Sequence, residues 1–152
     1  MIKHFITVCL VTLLTGLHSQ SINISNGELF DGEPFMVVNS TNTSHIVIAW
    51  MGFDGLNLIT MKLKISEDGG LTWSAPITLP HINTGYTCAD PSMGYDNAGN
   101  LFISYIDYNP FGTSGKAIVR KSTDGGYTWG DPVEVMDVVS DPGEAAVDRP
   151  WM

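Results

Sequence analysis

Ser66-Glu67-Asp68-Gly69-Gly70-Leu71-Thr72-Trp73 returns 56 residues later as Ser122-Thr123-Asp124-Gly125-Gly126-Tyr127-Thr128-Trp129. Six of the eight positions are identical. A fixed period of this length marks a repeat architecture, in which each copy needs neighbours to bury its apolar face. The period extends outward from the phrase. Glu33-Pro34, Asp90-Pro91 and Asp148-Arg149-Pro150 open successive units, 57 and 58 residues apart. Each of the first two openings leads into a short stretch, Phe35-Met36-Val37-Val38 or Ser92-Met93-Gly94-Tyr95, and then a polar turn. A run rich in β-branched and aromatic residues follows, Ile46-Val47-Ile48-Ala49-Trp50 or Leu101-Phe102-Ile103-Ser104-Tyr105. Turn residues around such runs are hairpin signals.

A third strand is expected over 58–65 and 116–121, where polar and apolar residues alternate. The repeated phrase makes the next tight turn, and a short edge strand closes each unit over 75–79 and 131–135. Pro76 and Pro132 suit that edge, where a missing N–H does no harm. Apart from the first twenty residues, no segment shows a 3.6-residue period. The expected fold is therefore all-β, a β-propeller of four-stranded antiparallel blades. Blade one spans about 28–80, blade two about 88–136, and a third begins over about 146–152. Two blades and a stub cannot close a ring, so several further blades are expected downstream of residue 152.

Within the phrase, Gly69-Gly70 and Gly125-Gly126 supply the backbone freedom of a tight connection. Asp68 and Asp124 are placed to accept hydrogen bonds from their own turn, with Ser66 and Ser122 bracing its other side. Trp73 and Trp129 can bury a large ring between blades. Ser-x-Asp-Gly-Gly-x-Thr-Trp is similar to the Asp-box, or bacterial neuraminidase repeat, of sialidases and related propellers. The wider text, with Asp90-Pro91, Tyr95-Asp96-Asn97-Ala98-Gly99-Asn100-Leu101 and Asp148-Arg149-Pro150-Trp151, resembles the exported sialidase-like branch and covers roughly residues 28–152. The resemblance implies that the box is a structural turn away from the active face, so Asp68 and Asp124 are read as structural.

Residues 1–19 read as a secretory signal: Lys3 and His4, then an apolar run from Phe5 to Leu14, then small and polar residues with cleavage near Ser19. The mature chain, from about residue 20, is thus expected to be secreted or periplasmic, with no membrane insertion after cleavage. It keeps a single cysteine, Cys88, so neither an internal disulfide nor a cysteine metal site is open to it. Six basic residues stand against sixteen acidic ones after Lys3 is removed, a net charge of −10. Such a chain is a poor partner for nucleic acid or anionic membranes. No cofactor or metal is expected.

The box joins strands three and four, so the strand two–three loops and the strand-one openings lie at the opposite end of each blade. That end offers Glu33, Asp90, Asp148 and Arg149, with Asp54, Asp107 and Tyr108 in or beside the loops. Acids bind sugar hydroxyls, aromatic rings stack on pyranose faces, and paired carboxylates serve most glycoside hydrolases. Asp90, Asp107 and Arg149 are the catalytic candidates, and Asp54, Tyr108 and Asp148 the substrate-binding ones. At this mouth, replacing Asp107 or Tyr108 is expected to weaken ligand binding with little change in melting temperature. A second duty is open to the repeated acids: accepting backbone hydrogen bonds from the neighbouring blade.

Sialidases use a tyrosine nucleophile. The resemblance further implies three arginines on the substrate carboxylate, a glutamate activating the tyrosine, and an aspartate acid/base. Arginine is needed there because its planar fork binds a carboxylate in bidentate fashion. This chain has two arginines: Arg149 at an opening, and Arg120, expected on a blade surface. A glycan or glycoconjugate is thus the expected partner. Glycosidase action and a non-catalytic carbohydrate- or protein-binding adhesion module both stay open.

Overall fold

The computed structural model describes residues 21–27, 30–55, 58–112, 114–137 and 150–151. The expected signal segment, Asp148 and Arg149 lie outside the described residues. The described chain is all-β. β1 (Asp31–Asn39), β2 (Asn42–Phe53), β3 (Ile59–Ser66) and β4 (Ile77–Leu79) form one antiparallel sheet in sequence order. β5 (Thr87–Tyr95), β6 (Leu101–Tyr108), β7 (Gly115–Ser122) and β8 (Val133–Asp137) form a second with the same order.

The first strands begin earlier than the apolar stretches imply. β1 starts at Asp31 and β5 at Thr87, and each runs straight through its acid–proline pair. A bulge makes this possible. Glu33 and Pro34 together stand opposite Trp50, and Asp90 and Pro91 opposite Tyr105, before pairing resumes at Phe35↔Ala49 and Ser92↔Ser104. Two residues facing one removes the demand for the donor that proline lacks.

Period-two alternation sorts the two faces of each sheet. Phe35, Val37, Val47, Ala49, Leu63 and Ile65 turn one face of the first sheet toward the second. Met93, Tyr95, Leu101, Ile103, Tyr105 and Ile118 meet them from the second sheet, and both sets belong to one core. β5 lies across β1, β2 and β3, so the sheets stack face to face. Arg120 corrects its expected surface position. It pairs with Ile103 on the core face and is 5% exposed. Its Nε donates to Tyr105 Oη (3.0 Å), Nη1 to Gly130 O (3.0 Å) and Nη2 to Pro80 O (2.9 Å).

The two boxes are built alike. Ser66 Oγ donates to Asp68 Oδ1 (2.8 Å) and accepts from Gly70 N (2.8 Å); Ser122 does the same with Asp124 and Gly126 at the same distances. The two carboxylate oxygens then accept the backbone N–H and hydroxyl of Thr72 or Thr128. Each indole N–H returns to its own turn, Trp73 to Gly70 O (3.1 Å) and Trp129 to Gly126 O (2.8 Å). The positions that differ between the copies do something else. Glu67 receives the Tyr127 hydroxyl (3.0 Å) and lies 3.0 Å from His45 Nδ1, while His45 Nε2 meets Gly125 O at 2.9 Å. These contacts tie the first sheet to the second at the box end.

Candidate functional site

At the opposite end the bulges bring Glu33 and Asp90 together. A bulge re-aims the side chains it carries. Here each acid adopts the left-handed region, with φ of 49° at Glu33 and 56° at Asp90. For a residue with a Cβ this conformation costs roughly 1–2 kcal/mol. Its presence at the same place in both repeats makes it a built feature. The two acids are coupled: Asp90 N–H donates to Glu33 Oε2 at 3.0 Å. One of the two duties open to the repeated acids is therefore filled at Glu33.

A cleft of about 210 Å³ lies over this pair, lined by Glu33, Phe35, Asp90 and Ser92 and, from the third unit, by Pro150 and Trp151. It is smaller than the roughly 300–1,000 Å³ of most ligand pockets, so it suits a single ring-sized group. Trp151 is 76% exposed beside the two acids. Pro150 is held by Ser104 Oγ, which donates to its carbonyl at 3.0 Å. Among the described residues, the charged side chains that line the cleft are Glu33 and Asp90. Tyr108 ends β6 nearby, and its hydroxyl pKa is raised by burial first, then by Cys88 and the charges of Asp90 and Glu33.

Neither Tyr108 nor the other described candidates, Asp54 and Asp107, line this cleft. Asp54 stands exposed just after β2, where its N–H donates to Leu58 O (3.1 Å). Asp107 is 0% exposed and does not line the cleft. Its Oδ1 meets His81 Nδ1 at 2.6 Å and its Oδ2 accepts from Ile82 N at 2.7 Å. This carboxylate therefore fastens the link between the sheets onto β6, which corrects its expected place at the mouth. Cys88 pairs with it across the ladder, and burial, then the Asp107 charge, push that thiol well above its usual range. A buried protonated thiol is a poor nucleophile.

Two contributions were hidden from the linear sequence. His81 is a lone histidine in a linker, 26 residues from its carboxylate. The one sign was Asp107 itself, an acid closing an apolar strand, which needs a partner if buried. Arg120 was more legible, because it shares strand parity with Ile118 and Ser122. Among the described residues no group of three or more His, Cys, Asp or Glu is arranged to hold a metal ion. Compared with known protein families and with curated proteins, the chain matches no family model and no curated sequence.

Proposed function

We propose that this chain is part of an exported, sialidase-like Asp-box propeller whose cleft at the strand-one openings binds a glycan. The observation that carries the reading is the Glu33–Asp90 pair, held in the left-handed region by equivalent bulges beside the exposed ring of Trp151. Carboxylates accept sugar hydroxyls, and an indole offers a flat apolar face to a pyranose ring. Face-to-face stacking of two like sheets, with duplicated turns at one end, supports the propeller. Among the described residues the geometry supports binding over hydrolysis. Arg120 spends all three guanidinium nitrogens on neutral oxygens in the core, so it has no fork to offer a substrate carboxylate. The acids among the described lining residues, Glu33 and Asp90, favour a neutral or amino sugar over an anionic one.

The test is titration of the purified chain with a panel of neutral, amino and sialylated saccharides, followed by indole fluorescence and calorimetry. A fluorogenic sialoside is assayed alongside. The expected result is saturable binding of a neutral or amino sugar that Trp151→Ala abolishes and Asp124→Ala leaves intact, with no sialoside turnover. Binding indifferent to Trp151→Ala, or no binding by any saccharide, refutes the reading.

A further inference from the structure

His45 breaks the repeat. Ile46 pairs with Ser66 as Leu101 pairs with Ser122, so the counterpart of His45 in the second unit is Asn100. Asn100 bonds within its own turn, its Nδ2 donating to Asp96 Oδ2 at 2.6 Å. His45 instead reaches out of its unit and is 5% exposed. Its Nδ1 lies 3.0 Å from Glu67 Oε2 in the first box, and its Nε2 lies 2.9 Å from Gly125 O in the second. The second box is shaped to the ring: Gly125 has a φ of 79°, and a Cβ there would stand 2.7 Å from His45 Cε1.

Both partners of the ring are acceptors. A neutral imidazole donates from one nitrogen and offers a lone pair at the other, so it would set that lone pair against the Glu67 carboxylate or the Gly125 carbonyl. The imidazolium donates from both nitrogens. The other groups around the ring leave it this role. On β5, Tyr95 packs edge-on to it with ring centroids 6.3 Å apart. The Tyr95 hydroxyl, pushed up to about 12 by burial and then by the Glu67 charge, stays neutral. From the second box the Tyr127 hydroxyl donates to Glu67 Oε1, which keeps Oε2 for the ring. Asp68 and Asp124 turn their carboxylates into their own boxes. Glu67 is held below the usual carboxylate range, by its hydrogen bond with His45 first. It is therefore ionised where imidazoles ordinarily titrate, between about pH 5 and 8.

We infer that His45 is a pH-sensitive latch between the two sheets: its imidazolium ties the first box to the second, and loss of one proton releases one of the two bonds. The sign follows from which form the fold bonds. The unfolded chain offers the ring no such pair of acceptors, so the latch stabilises the fold at acidic pH and weakens as pH rises through the imidazole range. At the acid side it lasts until Glu67 is protonated. The latch sits at the box end and shares no residue with the cleft, so saccharide titration and the latch are tested independently.

The experiment compares thermal melts of the whole chain at about pH 5.5 and about pH 8 with those of His45→Gln and Glu67→Gln. Between the two values the parent chain should lose about 3–6 °C in Tm more than either variant, the size expected for one charge-assisted bond in a domain of this length. His81 is present in parent and variants alike, so the difference isolates His45. Imidazole NMR of the parent chain supplies a second reading: both His45 ring N–H protons should be observed at the lower pH and one at the higher. An equal pH response in parent and His45→Gln overturns the inference. So does a single His45 N–H at the lower pH, a result that stands even where a variant fails to fold.

Discussion

Replacing Arg120 with methionine tests the most heavily bonded side chain in the core. Methionine keeps the aliphatic stem and removes three hydrogen bonds, to Tyr105 Oη, Pro80 O and Gly130 O. Tyr105 is 1% exposed, and burial above all holds its hydroxyl pKa up to about 12. Orphaning such a hydroxyl costs about 1–3 kcal/mol. Pro80 and Gly130 belong to exposed residues whose carbonyls can turn to water, so each of those losses is worth about 0.5–1.5 kcal/mol. Relief from burying a guanidinium offsets part of the sum. The net expectation is a loss of about 2–3 kcal/mol. With a urea slope of about 1–3 kcal/mol per molar, the midpoint falls by roughly 1 M or more. Urea unfolding followed by tryptophan fluorescence reads this directly, provided the slope is unchanged. Tyr105→Phe added to Arg120→Met should recover about 1 kcal/mol or more, because no hydroxyl is then left orphaned. A loss below about 0.5 kcal/mol, or strict additivity of the two changes, would refute the role given to Arg120.

Two further outcomes follow from the bonding. Asp107→Ala should lower stability by about 2–4 kcal/mol, since it strands His81 and the Ile82 N–H, while leaving saccharide titration unchanged. Lost binding at unchanged stability would return Asp107 to the cleft. The acid limb of the stability profile should report the boxes. Asp68 is lowered from 3.8 to about 2, by the Thr72 hydroxyl and then its backbone N–H. Asp124 reaches about 2 despite desolvation, through Thr128 and Ser122. Both carboxyls are more acidic folded than unfolded, so their contribution is complete above about pH 4 and is lost as pH falls toward 2. Asp68→Asn with Asp124→Asn should flatten that limb, as seen by thermal melts across the range; an unchanged limb sinks the assignment.

The sequence was most readable where the repeat spoke twice. Two boxes and two acid–proline openings fixed strand number, order and the two ends of each sheet, because a local turn needs only its own residues. The first strands were cut short because Pro34 and Pro91 look like strand starts until a bulge is known to absorb them. Asp107 was misplaced for a different reason. Its register counterpart is Gly52, so the repeat carries no trace of it, and its partner His81 arrives from a linker. Glu33 was legible as a position but not as a contact, since its bond to the Asp90 N–H spans 57 residues between sheets. Local chemistry is written in the sequence; contacts between units are made by whatever the packing brings close.

Like sheets in one chain carry a particular hazard, because any unit can pair with the wrong neighbour and still satisfy its own turns. The six shared letters of the box offer no protection, being the same in both copies. The letters that differ do. Glu67 reaches Tyr127 and His45, whereas Thr123 in the place of Glu67 carries no charge and Leu71 in the place of Tyr127 carries no hydroxyl. A box is therefore both a hinge pin and a label: its constant part makes the turn, and its variable part states which sheet comes next.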